Sequence, residues 1–288
     1  MKLFSKSDSC RLLADPEGPA AQRYFHYEKF LNHNHRALRI LAELELLDRG
    51  AGFAPLASIK HRTGQLLEEV GGLVAALIAL ADHRYQELLQ VFETVAGGLA
   101  PFIEHQRNPI DGPLTLPFPS LGLEHTPLAG AKAVNLALIK NELGLPAPDG
   151  FAVTTAAFDL FLRENRLLEP IDAMLAVFDP DAEETDAACR RIQEAIREAP
   201  LPEAIADTLD QEVHDLANRC GSTPRIAVRS SAVGEDSEAS FAGQYVSVLP
   251  VDPAELASAY KTVLASKYTL RAITYRLRYG LTDAATPM

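Results

Sequence analysis

A chain of 288 residues that is 47% hydrophobic is long enough for two domains with sizeable cores, which excludes disorder as its default state. Its 27 Lys and Arg against 39 Asp and Glu give a formal net charge of −12, which argues against both nucleic-acid binding and attraction to an anionic membrane. Cys10, Cys189 and Cys220 are scattered and include no Cys-x-x-Cys pair, so the sequence reads as cytoplasmic rather than as a disulfide scaffold or a zinc site.

Residues Met1 to Cys10 contain lysines but no sustained apolar run and do not read as a secretory signal. From about Pro19 to Gln106 apolar residues recur at three- and four-residue steps, which predicts a three-helix bundle. Phe30, Leu31, Leu38, Leu41, Leu44 and Leu47 are expected to line one face of the first helix, which Gly50 and Gly52 end. A second helix is predicted from near Leu56 to Ala81. Its apolar run, Gly71 to Ala81, is too short to span hydrocarbon and reads as bundle interior. A third carries Leu88, Leu89, Phe92, Val95 and Leu99 and stops before Pro101 or frays towards Gln106. His26, His33 and His35 are too poorly spaced for a metal site and read as surface or capping histidines.

Five prolines between Arg107 and Pro127 predict a linker. The domain plan is therefore a helical bundle over 1–107, a Pro-rich linker over 108–127 and a second domain over 128–288. In that domain Leu128 to Ile139 predicts a helix with Gly130 and Lys132 at its positive end. Gly144 closes it, and Gly150 to Thr155 makes a strand ending on a threonine that can cap the next helix. Helices follow to Cys220, with Asp179-Pro180-Asp181 and Leu201-Pro202-Glu203 as starts. The acids from Asp181 to Asp186 read as a solvated helix start rather than a metal site.

The most informative stretch runs from Pro224 to Tyr245. Ile226 and Val228 alternate with Ala227 and Arg229, predicting a short strand that carries a cation out at its end. Ser230, Ser231, Gly234, Ser237, Ser240 and Gly243 then supply hydroxyls and unshielded N–H groups able to wrap an anion. Tyr245 to Leu249 predicts a second strand pairing with the first. A helix from Asp252-Pro253 to about Leu264 precedes another over Lys267–Tyr279, on which Lys267, Arg271 and Arg278 are expected to share a basic face.

Ala227-Val228-Arg229-Ser230-Ser231, then Gly234-Glu235-Asp236 and Ser240-Phe241-Ala242-Gly243-Gln244, resembles the nucleotide-binding domain of the phosphoenolpyruvate synthase and pyruvate phosphate dikinase family, an ATP-grasp fold. Gly130-Ala131-Lys132 is similar to the family's Gly-Gly-Lys. Arg271-Ala272-Ile273-Thr274-Tyr275-Arg276 is similar to its Arg-Ala-Ile-x-Tyr-Arg. The resemblance covers roughly residues 121–280 and implies part of an ATP-grasp-like domain there; with the helical bundle that the periodicity predicts before it, the expected fold is α+β.

The resemblance also implies an activity, a phosphotransferase passing phosphate from ATP to a histidine on a separate domain and on to pyruvate. Lys132 and Arg229 take the catalytic role, and Lys132, Arg229 and Arg271 hold phosphates. The loop with Ser230, Ser231, Ser240 and Gly243 covers them, and Glu235 and Asp236 order it or contact phosphate indirectly. Ser247 keeps the hydroxyl of the family's acid-Thr pair, whose acid is replaced by Val246. ATP and Mg2+ are the implied cofactors, with magnesium ligands expected beyond residue 288 and no metal ligand assigned within the chain. None of the eight histidines has the family's Gly-Gly-x-x-Ser-His context, so the chain is expected to be an N-terminal part, inactive alone. Two other readings stand: an ATP-grasp phosphotransferase for another acceptor such as an antibiotic or glucan, and a non-catalytic module with a vestigial site. A homodimer is compatible with the sequence, which does not identify the bundle's partner.

Overall fold

The structure, a computed structural model, describes residues 18–49, 54–82, 84–104, 109–232, 244–279 and 281–288. The fold is α+β, with helices predominating over two small sheets. The chain divides into two compact units, residues 1–52 with 58–106 and residues 53–57 with 107–288.

The first unit holds α1 (Pro19–Asp48), α2 (Leu56–Leu80) and α3 (Glu87–Glu104). Within α1 the inward stripe is Phe30, His33, Ala37, Ile40, Leu44 and Leu47, a strict alternation of three- and four-residue steps. Leu38 and Leu41 lie one step round the helix from Ala37 and Ile40, and are 55% and 42% exposed rather than on the expected face. Pro101 lies inside α3 rather than ending it. The apolar run from Gly71 proves to be the second half of a 25-residue helix. By length and composition, α2 is long and apolar enough to cross a membrane, and 17% of its most apolar window is buried.

His33 departs from its expected surface or capping role. Its Nδ1 lies 2.6 Å from Glu69 Oε2, and the other Glu69 oxygen accepts from Arg36 Nε at 2.9 Å, so the imidazole struts α1 against α2. Burial pushes the Glu69 carboxyl up, but the bonds and charges of His33 and Arg36 prevail and hold it below the usual carboxylate range. Two adjacent glycines make this packing possible. A Cβ on Gly72 would lie 2.5 Å from the His33 ring, and one on Gly71 would lie 3.0 Å from Phe92 of α3.

In the second unit the stretch expected as a linker, 108–127, is structured from residue 109. Strand β1 (Thr115–Pro117) pairs antiparallel with β2 (Phe151–Val153), and Phe118 and Leu121 in the following turn are buried. Proline is accommodated because both strands of a two-stranded sheet are edges. Helix α4 (Thr126–Asn141) covers this sheet, burying Ala129, Val134 and Ala137 with Phe118, Leu121 and Ala152. Thr154 stands at the N-cap of α5 (Thr155–Glu164), but its hydroxyl donates to Pro113 O instead of capping, and Thr155 is already helical.

A larger core gathers α5, α6 (Leu168–Ala176), α7 (Glu183–Glu198), α8 (Glu203–Cys220), α9 (Leu256–Ser266) and α10 (Leu270–Arg278) around Phe161, Ile171, Ile196, Ile205, Leu264 and Ile273. Cys189 and Cys220 carry free thiols, and burial pushes the Cys189 thiol up to about 11. The second sheet pairs β3 (Ile226–Val228) antiparallel with β4 (Val248–Val251). β4 starts later than expected because Tyr245 turns into the core and the Val246 N–H donates to Ser266 Oγ at 3.2 Å.

The expected helix over Lys267–Tyr279 is likewise shorter. Thr269 caps α10, accepting from Ala272 N at 3.2 Å, so Lys267 lies before the helix and shares no face with the exposed Arg271. Lys267 is instead fully buried. Its Nζ lies 3.1 Å from Asp283 Oδ1 and 4.8 Å from the Phe158 ring centroid, while Arg276 donates to Lys267 O at 2.8 Å and reaches the same carboxylate at 3.3 Å. Among the described residues both buried cations thus reach the same acid. Asp283→Ala should lower stability by about 3–5 kcal/mol, since it removes the carboxylate they share. Replacing Lys267 by Met in the same chain should recover part of that loss in urea unfolding.

A second carboxylate gives a pH signature. Asp149 Oδ2 lies 2.9 Å from Lys140 Nζ and 3.2 Å from Arg219 Nε, and Oδ1 accepts from Gly150 N at 2.8 Å. Burial pushes its carboxyl up, yet these partners together hold it below the ordinary value of 3.8. Its contribution is present above the unfolded pKa and is lost as pH falls through the lower folded one. Asp149→Asn should therefore be less stable than the parent at pH 7, with urea midpoints that draw together as the pH falls below the ordinary carboxylate range.

Candidate functional site

Gly130 breaks α4. Its φ of 73° and ψ of 155° are non-helical, and a fresh helical run begins at Ala131 with Lys132, exposed, in its first turn. Few residues other than glycine adopt this conformation. Space forbids a side chain as well, because a Cβ on Gly130 would lie 2.5 Å from both Ser231 O and Ser231 Oγ. The backbone leaving β3 thus presses against the kink.

Ser231 completes the junction. Its hydroxyl donates to Ala129 O at 2.7 Å and accepts from Ala133 N at 3.2 Å, bridging the two sides of the kink from about a hundred residues further along the chain. The second bond satisfies one of the amides that a helix start leaves without an intrahelical partner. Sequence reasoning placed Lys132 and Arg229 in one site through separate motifs, and here their segments share a contact. It did not anticipate that contact, although a glycine among small residues beside an expected helix start hinted at a close approach.

Arg229 is exposed and makes no hydrogen bond or ion pair among the described residues, while Ser230 beside it is buried. Its guanidinium therefore extends from a fixed backbone. Arg271 is also exposed and without such a partner among the described residues, on the first turn of α10. No bond among the described residues ties it to the Gly130–Ser231 junction. Ser247 is exposed between the buried Tyr245 and β4. Glu235, Asp236, Ser240 and Gly243 lie outside the described residues. Among the described residues no three His, Cys, Asp or Glu side chains gather to hold a metal ion, so Mg2+ has no ligand set there to test.

Two basic groups flanking a backbone junction suit a polyanion. The family described as "Pyruvate phosphate dikinase, AMP/ATP-binding domain" matches residues 126–288, more than half of the chain and all of this junction. The chain belongs to that family. The phosphoenolpyruvate synthase of Deinococcus radiodurans is 38% identical over 170 residues, 57% of this chain and 21% of the relative. The probable phosphoenolpyruvate synthase of Methanocaldococcus jannaschii is 37% identical over 159 residues, 53% of this chain and 13% of the relative. The phosphoenolpyruvate synthase of Neisseria meningitidis is 35% identical over 170 residues, with shares of 57% and 21%. This chain thus spans between 13% and 21% of the length of these relatives.

The kink gives a direct stability test. Gly130→Ala should cost at least about 1–3 kcal/mol from the strained backbone alone, with the overlap on Ser231 adding to it. Chemical unfolding of the variant against the parent measures this, and an unchanged midpoint would contradict the close approach.

Proposed function

We propose that residues 128–288 form the ATP-holding part of a phosphoenolpyruvate synthase-like phosphotransferase with an ATP-grasp architecture, working in the cytoplasm. Phosphate would pass from ATP to a histidine on a further domain and from there to pyruvate. The observation that best supports this reading is the Gly130–Ser231 junction, which holds the Lys132 turn and the Arg229 strand together in a domain of the AMP/ATP-binding family. The relatives' names favour pyruvate chemistry over another acceptor.

In this reading Lys132 and Arg229 neutralise the ATP phosphates, and Arg271 adds a third cation from α10. The segment from Ser230 to Gly243, with Glu235, Asp236 and Ser240, closes over the polyphosphate, and Ser247 contributes a hydroxyl at its exit. Phosphoryl transfer asks a protein mainly for positioning and charge neutralisation, which arginine forks and lysines supply. When bound, the family's Mg2+ would add to the neutralisation of phosphate charge. No ligand for it is assigned in this chain; Lys132, Arg229 and Arg271 act on the nucleotide directly, while Glu235 and Asp236 order the loop or contact phosphate indirectly. Residues 1–107 take no part in the chemistry, and these 288 residues alone are expected not to turn over ATP and pyruvate.

Calorimetric titration of the intact protein with ATP tests the reading. Arg229→Ala and Lys132→Ala should each weaken binding by roughly tenfold or more, the scale of one lost charge-assisted hydrogen bond. Affinity indifferent to both substitutions would rule out this site.

A further inference from the structure

The side chain of Ser231 has one proton and two lone pairs to give. The proton goes to Ala129 O at 2.7 Å, and one lone pair takes the Ala133 N–H at 3.2 Å. A phosphate oxygen needs a donor, and Ser231 can donate to it only by releasing Ala129. The backbone carbonyl of the same residue packs where Gly130 lacks a side chain, which leaves the serine little freedom to turn outward. The neighbouring Ala232 is fully buried, fixing the chain on the other side.

We infer that Ser231 is a positioning residue for polyphosphate rather than a ligand of it, acting by capping the helix start that carries Lys132 and pinning that start to the chain leaving β3, which carries Arg229. This rests on the ATP reading given above. The link is mechanical. Removing the hydroxyl frees the Ala133 amide and the Ala129 carbonyl together, so Lys132 is no longer held at a fixed separation from Arg229. In the ATP reading Lys132 and Arg229 meet phosphates, so the loss should grow with the number of phosphates the ligand carries.

The test uses the intact protein with ATP and AMP as probes. Ser231→Ala should weaken ATP by about tenfold, the scale of a lost helix cap, and leave AMP within about twofold. Hydrogen exchange should quicken at the amides of Ala131 to Ala133. In a double-mutant cycle with Lys132→Ala the two losses should be less than additive, because Ser231 works through the lysine. An equal loss for ATP and AMP, full additivity, or an unchanged ATP affinity despite faster exchange would each overturn the positioning role. If the unsubstituted protein binds neither nucleotide, the ATP reading fails instead. Exchange at Ala133 then still decides whether Ser231 holds the helix start.

Discussion

One hydroxyl group sits where two distant parts of the second unit meet. Ser231 closes the break that Gly130 makes in α4, and the absence of a Cβ there lets the chain leaving β3 lie directly on the kink. The helical run from Ala131 begins with amides that have no partner within the helix itself, and β3 is only three residues long and belongs to a two-stranded sheet, which has little stability by itself. Each supplies what the other lacks. A pair of cations can be held at a set spacing by such a contact even though both side chains point to solvent.

The buried Lys267–Arg276–Asp283 group does corresponding work at the start of α10. It fixes the start of α10 from beneath, through the Lys267 carbonyl, and ties the last described segment to the same helix. Burying two cations against one acid is tolerated because Phe158 presents its ring face to the Lys267 ammonium and Tyr268 donates to the other carboxylate oxygen. Arg271, on the opposite side of α10, inherits its placement from this core rather than from any bond of its own among the described residues.

What the sequence disclosed followed from periodicity and from local motifs. The helices of both units, three of the four small strands and the segments carrying Lys132, Arg229 and Arg271 were legible, because repeat spacing and glycine or proline punctuation are local properties. The misses were not local. Lys267 reads as a helix-surface lysine until Asp283 is seen to meet it, and His33 reads as a surface histidine until Glu69 arrives from another helix. Leu38 and Leu41 show that apolar identity does not choose a face when a neighbouring stripe keeps better three-four phase. The prolines of 108–127 marked an irregular chain correctly but concealed an edge strand, which tolerates them. Ser231 was read for its capacity to donate, whereas its surroundings had already used that proton.

The paired glycines of α2 carry a consequence of a different kind. Gly71 and Gly72 are consecutive, so their vacant positions point about 100° apart, and each accepts a ring from a different helix. A slip of α2 by one residue would present a methyl or larger group to at least one ring. The pair therefore acts as an index mark, setting helix rotation and axial register together and leaving α1 and α3 one way each to seat against it.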